Sequence, residues 1–255
     1  MPTIPPLEET ASPAPAEYSV GEIYREEYAA LYPALYVAPW SRKHRINREN
    51  LTRVLDGMAP RRPLWLDIAC GQATQFSAFG ERTQQVGVDL SRAQLTRARR
   101  NAPDALLIHA NITQVSFLDA SFDLVTNFWA GYCYLDDQEK IVALVRSAVR
   151  WIRDGGALYW EVLLARDLAE FNRSRYAANT GFGVTPRTSD YSRWSYDDIG
   201  GRHLMTSPPI EVFLREVEGR FRHVEAVHDG GFMVHLIATG RHRETSVVND
   251  AMTEV

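Results

Sequence analysis

The sequence predicts an α/β fold: a doubly wound sheet of seven strands ending in an antiparallel hairpin. Three observations carry that expectation. From about residue 62 onward, short apolar runs alternate with segments of helical period at the spacing of βαβ units. The stretch "DDQEKIVALVRSAVRWIRDGG" reads as a helix, with Ile141, Leu144, Val145, Ala148 and Ile152 on one face, acids at its start, Arg150 and Arg153 at its end, and Gly155-Gly156 as its stop. Two strand-like pieces further on meet at "HDGGF", the pattern of a hairpin.

Taken in order, "PLWLDIA" (63–69) reads as a buried strand and "QQVGVDL" (84–90) as a second, with a short helical segment between them. A helix follows, with Ser91 as N-cap and Gln94 three residues on in a capping-box arrangement, stopping before Pro103. "ALLIHANI" (105–112) and "SFDLVTNFWA" (121–130) give the third and fourth strands, and "ALYWEVLL" (157–164), after the long helix, the fifth. A helix at 210–219 and the pieces "RHVEAVHDG" and "GFMVHLIATG" complete the count, with right-handed crossovers between the parallel strands. The chain therefore divides into a tail at 1–17, a helical lid at 18–60, a core at 61–242 with an insertion at about 165–209, and a second tail at 243–255.

At 255 residues the chain suffices for one substantial core. No apolar run approaches the ~20 residues that span a bilayer, and the Pro-rich start lacks the basic and apolar parts of a signal peptide, so the expectation is a cytoplasmic protein without membrane association. Two cysteines, Cys70 and Cys133, make neither a disulfide framework nor a zinc site, and no metal is expected. A net charge of −4 gives no general attraction to nucleic acid. The basic run from Arg42 to Arg62 reads first as a solvated helix face, with an anionic-substrate site as the alternative. The oligomeric state is left open, a homodimer being one option.

A doubly wound sheet binds its ligand at the carboxyl ends of its strands. Asp67 to Ala73, Asp89-Leu90, Ala110 to Ile112, Asn127 to Ala130 and Glu161 all fall on that rim. Asp89, 18 residues after Gly71, suits two ribose hydroxyls. The first loop, "LDIACGQA", keeps an acid and one glycine but has Ala69 and Ala73 where a dinucleotide loop has glycines that admit a pyrophosphate. A cofactor without phosphate tolerates those methyl groups if the backbone keeps φ negative there.

In order and spacing, "LDIACGQA", "VGVDLS", "HANI", "SFDLVTNFWA", the helix ending in "DGG" and "ALYWEV" resemble the class I S-adenosylmethionine-dependent methyltransferases over about residues 62 to 164. The resemblance implies a Rossmann-like core, S-adenosylmethionine as cofactor and a small molecule as substrate. It implies that Asp67 acts on the loop and the cofactor's ammonium side, that Ala69, Gly71 and Gln72 line the methionine portion, and that Asp89 holds the ribose. It implies further that Leu90 and Ile112 cover the adenine, Asn111 receives the adenine amino group, and Asn127 and Phe128 close the methionine end. Leu90 and Ile112 read equally as core residues. An Asn-Pro-Pro-Tyr motif, which in this family marks methylation of a nucleic-acid base, is absent at the fourth strand.

Before the core, Tyr24, Tyr28, Tyr32 and Tyr36 recur every four residues, with Trp40 next, and Pro33 must break the helix they define. The stripe is either a covering face or a lid over the sulfonium, with Tyr36 as its first candidate for cofactor contact. "YPALY" resembles the N-terminal segment of amino-sugar N-methyltransferases, but is too short to name a substrate. Trp129 and Tyr132 beyond the fourth strand, with Trp194 and Tyr196 in the insertion, are expected to form a pocket for a flat or greasy small molecule. His44, His203 and His235 are candidate bases, each also readable as a structural histidine; His203, within the aromatic insertion, is the first choice as catalytic residue. The implied function is methyl transfer to N or O of a secondary metabolite. Two rivals stay open: a cofactor-binding fold that catalyses a non-methylating cyclase or lyase reaction, and a binding module with a degenerate loop.

Overall fold

A computed structural model of the chain describes residues 23–59, 61–180 and 182–242; the tails expected at 1–17 and 243–255 lie outside them. The described N-terminal part holds α1 (Glu26–Tyr32), a π-turn (Pro33–Val37) and α2 (Ser41–Asp56). Pro33 ends α1 as expected, because it carries no N–H for a helical bond.

The core then runs β1 (Leu64–Ile68), β2 (Gln84–Asp89), α3 (Arg92–Asn101), β3 (Leu106–His109), β4 (Phe122–Asn127), α4 (Gln138–Trp151) and β5 (Ile152–Leu163). The insertion contributes α5 (Ala165–Phe171), α6 (Arg175–Thr180) and the strands β6 (Val184–Pro186), β7 (Arg193–Asp198) and β8 (Gly201–Thr206). The chain returns through α7 (Ile210–Val217), β9 (Phe221–His228) and β10 (Met233–Arg241). The main sheet has the order β3-β2-β1-β4-β5-β10-β9, and the insertion strands form a separate antiparallel sheet. β1 to β5 pair in parallel, whereas β10 pairs antiparallel with both β5 and β9, the expected terminal hairpin.

Successive strand residues face opposite sides of a sheet, and both sides are covered here. Leu66, Val125 and Leu158 pack with Ile141, Leu144, Val145 and Ala148 of α4. Their neighbours Trp65, Leu124 and Tyr159 pack on the other side with Leu51, Val54 and Leu55 of α2 and Ala98 of α3. α3 starts as read from the sequence, with the Ser91 hydroxyl accepting from Gln94 N–H.

One boundary differs. α4 stops at Trp151, and Ile152, expected on its apolar face, already pairs with Phe122 in the sheet. The extra residues before Ala157 form an irregularity in β5, and a Cβ on Gly156 would come 2.6 Å from the Asp123 carbonyl oxygen. Gly156 thus marks a close strand approach and Gly155, at φ 80°, a left-handed position within the irregularity, rather than a helix stop.

Candidate functional site

The topological switch lies between β1 and β4, whose outer neighbours β2 and β5 run to opposite edges. Three cavities meet over these strand ends. The first, of about 190 Å³, is lined by Ala69, Gly71, Asp89, Leu90, Asn111 and Ile112 from the rim and by Tyr24 and Tyr32 from the lid. The second, of about 50 Å³, is lined by His44, Asp67, Gln72 and Gln75. The third, of about 110 Å³, is lined largely by aromatic rings of the lid and the insertion. Ala69, Gly71 and Phe128 belong to the first two, and Trp129 belongs to all three.

The loop after β1 has its backbone in the left-handed region at Ala69 (φ 55°), Gly71 (φ 53°) and Ala73 (φ 55°). This corrects the expectation of negative φ at the two alanines. A Cβ on Gly71 would meet nothing within 4 Å, so its backbone angle, rather than lack of space, favours glycine there. Each alanine bears left-handed strain of about 1–2 kcal/mol that glycine would escape.

Asp89 closes the loop from β2. Its Oδ2 accepts from Gly71 N–H at 2.8 Å and its Oδ1 from Ser91 N–H at 2.8 Å. Burial pushes its pKa up, against the pull of these two N–H groups. Asp67 is more extreme: buried, with its Oδ1 accepting from Thr126 Oγ1 at 2.6 Å, it has its pKa pushed by burial up to about 8. Asn111 caps the turn that follows it, its Oδ1 accepting from Thr113 N–H at 3.0 Å.

The segment after β4 is a second strained loop. Trp129 (φ 56°) and Ala130 (φ 49°) are consecutive left-handed residues. Trp129 N–H donates to Glu161 Oε2 at 2.5 Å, and Lys43 Nζ donates to both Glu161 oxygens, at 2.6 and 2.5 Å. The same ammonium lies 3.9 Å from the centroid of the Trp129 ring, so Lys43 and Glu161 hold this residue by ring and backbone together. Glu161 is fully buried and Lys43 4% exposed; burial pushes the Lys43 pKa down while Glu161 pulls it up. The two loops touch, since a Cβ on Gly131 would stand 2.7 Å from that of Ala69.

Lid and insertion are joined by a hydrogen-bonded cluster. Asp198 Oδ2 accepts from the Tyr28 and Tyr36 hydroxyls at 2.6 and 2.9 Å, and its Oδ1 from His203 Nε2 at 2.8 Å. The Tyr134 hydroxyl lies 2.6 Å from His203 Nδ1 and 2.8 Å from the Tyr24 hydroxyl, within hydrogen-bond distance of both. Tyr24 and Tyr134 line the first cavity.

Most of the expected cofactor residues therefore line the first two cavities, which share walls at Ala69, Gly71 and Phe128. Tyr36 lines the third cavity instead, and Tyr24 and Tyr32 of the same stripe face the cofactor side. Asn127 lines no cavity; its Nδ2 donates to the Ile68 carbonyl at 2.8 Å and ties β4 to β1. Trp194 and Tyr196 line the third cavity, but Tyr132 is 1% exposed, packs on Phe213 and accepts from Leu163 N–H. His203 is fully buried and lines none of the three, as does His235, whose Nδ1 is 2.7 Å from the Tyr159 hydroxyl. His44 does reach the second cavity. Its Nδ1 is 3.2 Å from Gln75 Nε2, its Nε2 has no hydrogen-bond partner, and burial followed by the Lys43 charge lowers its pKa to about 4.

Sequence reasoning placed Glu161 on the rim without giving it a role, and missed Lys43 and Asp229 as site residues. Two signals were present: Lys43 is one of two lysines in an arginine-rich chain, and Glu161 is a lone acid inside an apolar strand.

The parallel sheet, the switch-point cavity and the terminal hairpin define a Rossmann-like α/β fold. Residues 66–156 match a family model described as a methyltransferase domain. The chain is 26% identical over 140 residues to a dTDP-3-amino-3,4,6-trideoxy-alpha-D-glucopyranose N,N-dimethyltransferase of Streptomyces venezuelae, covering 54% of this chain and 58% of that one. It spans little more than half the length of the curated relatives it matches. Among solved structures, PH0226 protein from Pyrococcus horikoshii OT3 is similar with a TM-score of 0.62 at 18% identity, over 85% of this chain and 100% of that one. SAM-bound CalS10, an amino pentose methyltransferase from Micromonospora echinaspora, gives a TM-score of 0.57 at 18% identity, over 81% and 96%. These structural likenesses concern the fold. Among the described residues no helix is long and apolar enough to cross a membrane.

Proposed function

We propose that this chain binds S-adenosylmethionine in the first two cavities and transfers its methyl group to a small molecule, a secondary metabolite, held in the third. The observation that carries the reading is Trp129, a wall common to all three cavities. Two buried groups support the choice of cofactor. Asp67 is kept substantially protonated near neutral pH by burial, and a bound ammonium would restore its carboxylate. His44 Nε2 is a buried atom without a partner on the wall of the second cavity, suited to a carboxylate oxygen.

When bound, S-adenosylmethionine supplies a methyl group on a positively charged sulfur. The chain's part is binding, alignment and exclusion of water. Asp89 would hold the ribose, Leu90 and Ile112 the adenine, and Asp67 with Gln72 and His44 the amino-acid end. Tyr24 and Tyr32 close that space from the lid, and the Asp198–His203 cluster fixes Tyr134 and, through it, Tyr24. In this arrangement His203 is a positioning residue rather than the catalytic base.

The test is incubation with methyl-labelled cofactor and a panel of small amines and hydroxyl compounds, followed by mass spectrometry. A labelled acceptor is expected from the native chain and far less from Asp89→Ala at a cofactor concentration that only half-saturates the native chain. Turnover of an acceptor without consumption of the cofactor would overturn the reading in favour of a non-methylating reaction.

A further inference from the structure

We propose that the third cavity holds the acceptor by an apolar aryl ring, and that a polyhydroxylated ring such as a pyranose is not its occupant. The inference deepens the methyl-transfer reading and rests on it. Hydrogen-bonding capacity decides between the two classes of molecule. Each pyranose hydroxyl taken out of water needs a partner and weakens binding where it finds none, whereas an aryl ring needs only apolar surface.

The tyrosines, Trp194 and both charged side chains of this wall are already engaged. The Tyr36 hydroxyl donates to Asp198 Oδ2 at 2.9 Å, the Tyr176 hydroxyl to the Leu35 carbonyl at 3.3 Å, and Trp194 Nε1 to Ser207 Oγ at 2.9 Å. The Tyr196 hydroxyl lies 3.0 Å from that of Tyr134. Lys43 donates to both oxygens of Glu161. Asp229 Oδ1 accepts from the N–H groups of Gly231 and Met233 at 2.6 and 3.4 Å, and its Oδ2 lies 3.8 Å from His235 Nε2. Each of these groups serves the protein itself, and a sugar would have to compete with those bonds.

The rest of the lining suits an aryl ring. Leu163, Leu168, Val184 and Met205 bring aliphatic and thioether surface, and Phe171 and Phe182 bring rings. The wall packs edge to face, with Trp40 against Trp129 at 5.9 Å and 81° and against Phe232 at 5.9 Å and 77°. A further ring added to such a cluster meets both rims and faces, the contacts that aromatic groups prefer. Trp129, common to all three cavities, is then the boundary at which the ring's nucleophilic substituent meets the methyl group.

The experiment titrates the full chain, saturated with S-adenosylhomocysteine, with two uncharged probes, 2-naphthol and methyl α-D-glucopyranoside, by calorimetry. The naphthol is expected to bind saturably and at least about thirtyfold more tightly than the glycoside. Trp40→Ala should weaken the naphthol at least about tenfold and leave S-adenosylhomocysteine affinity unchanged, because Trp40 lines neither cofactor cavity. Should that variant not fold, Val184→Thr, which puts a hydroxyl on the wall at nearly constant shape, is expected to weaken the naphthol about threefold. Glycoside binding as tight as that of the naphthol, no naphthol binding at millimolar concentration, or naphthol binding that neither substitution weakens would overturn the proposal. Failure of the methyl-transfer reading is seen separately, as absence of S-adenosylhomocysteine binding by the native chain.

Discussion

The first two cavities take most of their walls from the ends of β1 to β4, neighbours in one parallel sheet, with the small residues Ala69, Gly71 and Ala110 among them. The third takes its walls from the lid, α2, Trp129, α5, the insertion sheet and the β9–β10 hairpin, and most of its lining residues are aromatic or aliphatic. A site built on strand ends is fixed by the sheet and tolerates substitutions such as alanine for glycine. A site built from side chains of distant segments is set residue by residue. On the proposed reading, the methyl donor can therefore stay constant on this scaffold while the acceptor pocket is free to change.

Lys43→Met is the most disruptive way to break this division, because Lys43 and Glu161 hold the residue shared by both sides. Removing one partner leaves a buried charge alone, and a loss of about 3–5 kcal/mol is expected in urea denaturation. The double change Lys43→Met, Glu161→Leu should recover much of it. Asp89→Ala acts on the cofactor side alone. It removes charge-assisted hydrogen bonds worth about 2–3 kcal/mol, so S-adenosylhomocysteine affinity measured by calorimetry should fall about 100-fold.

These substitutions fall on residues of unequal legibility. Asp89 was readable because strand order, spacing and charge are local, and the same holds for Gly71 and for the Ser91 cap. Lys43 looked like one more member of a solvated basic run, since nothing local reveals that its partner lies 118 positions away on β5. Tyr132 and Trp129 looked alike as aromatic residues beyond the fourth strand. The left-handed turn at Trp129 and Ala130 separates them, leaving Trp129 on the cavities and sending Tyr132 into the core. The three-stranded sheet of the insertion was also not foreseen. Its strands are short, and "RWSYDDIGGRHLMT" shows no clean alternation of apolar and polar residues.

A smaller effect is expected from pH. Asp67 has a folded pKa of about 8, against about 4 in an unfolded chain, so its contribution to stability is complete below pH ~4 and is lost as pH rises through about 8. His44 works in the opposite sense: its neutral ring contributes above pH ~6.5, and the contribution is lost as pH falls toward about 4. Between about pH 6.5 and 8 the Asp67 effect stands apart. The melting temperature of the ligand-free chain should fall more steeply there than that of Asp67→Asn. The smallest change is Ala69→Gly. Relief of left-handed strain outweighs the greater freedom of glycine in the unfolded chain, for a net gain of about 0.5 kcal/mol in chemical denaturation.

The division of the site at Trp129 is tested most directly by a crystal structure of the chain with S-adenosylhomocysteine. The expected result has the ribose on Asp89, the amino-acid end between Asp67 and His44, and the sulfur facing Trp129, with the third cavity open on the other side of that ring. The nucleoside lodged among Trp40, Trp194 and Tyr196 in the third cavity would contradict the account.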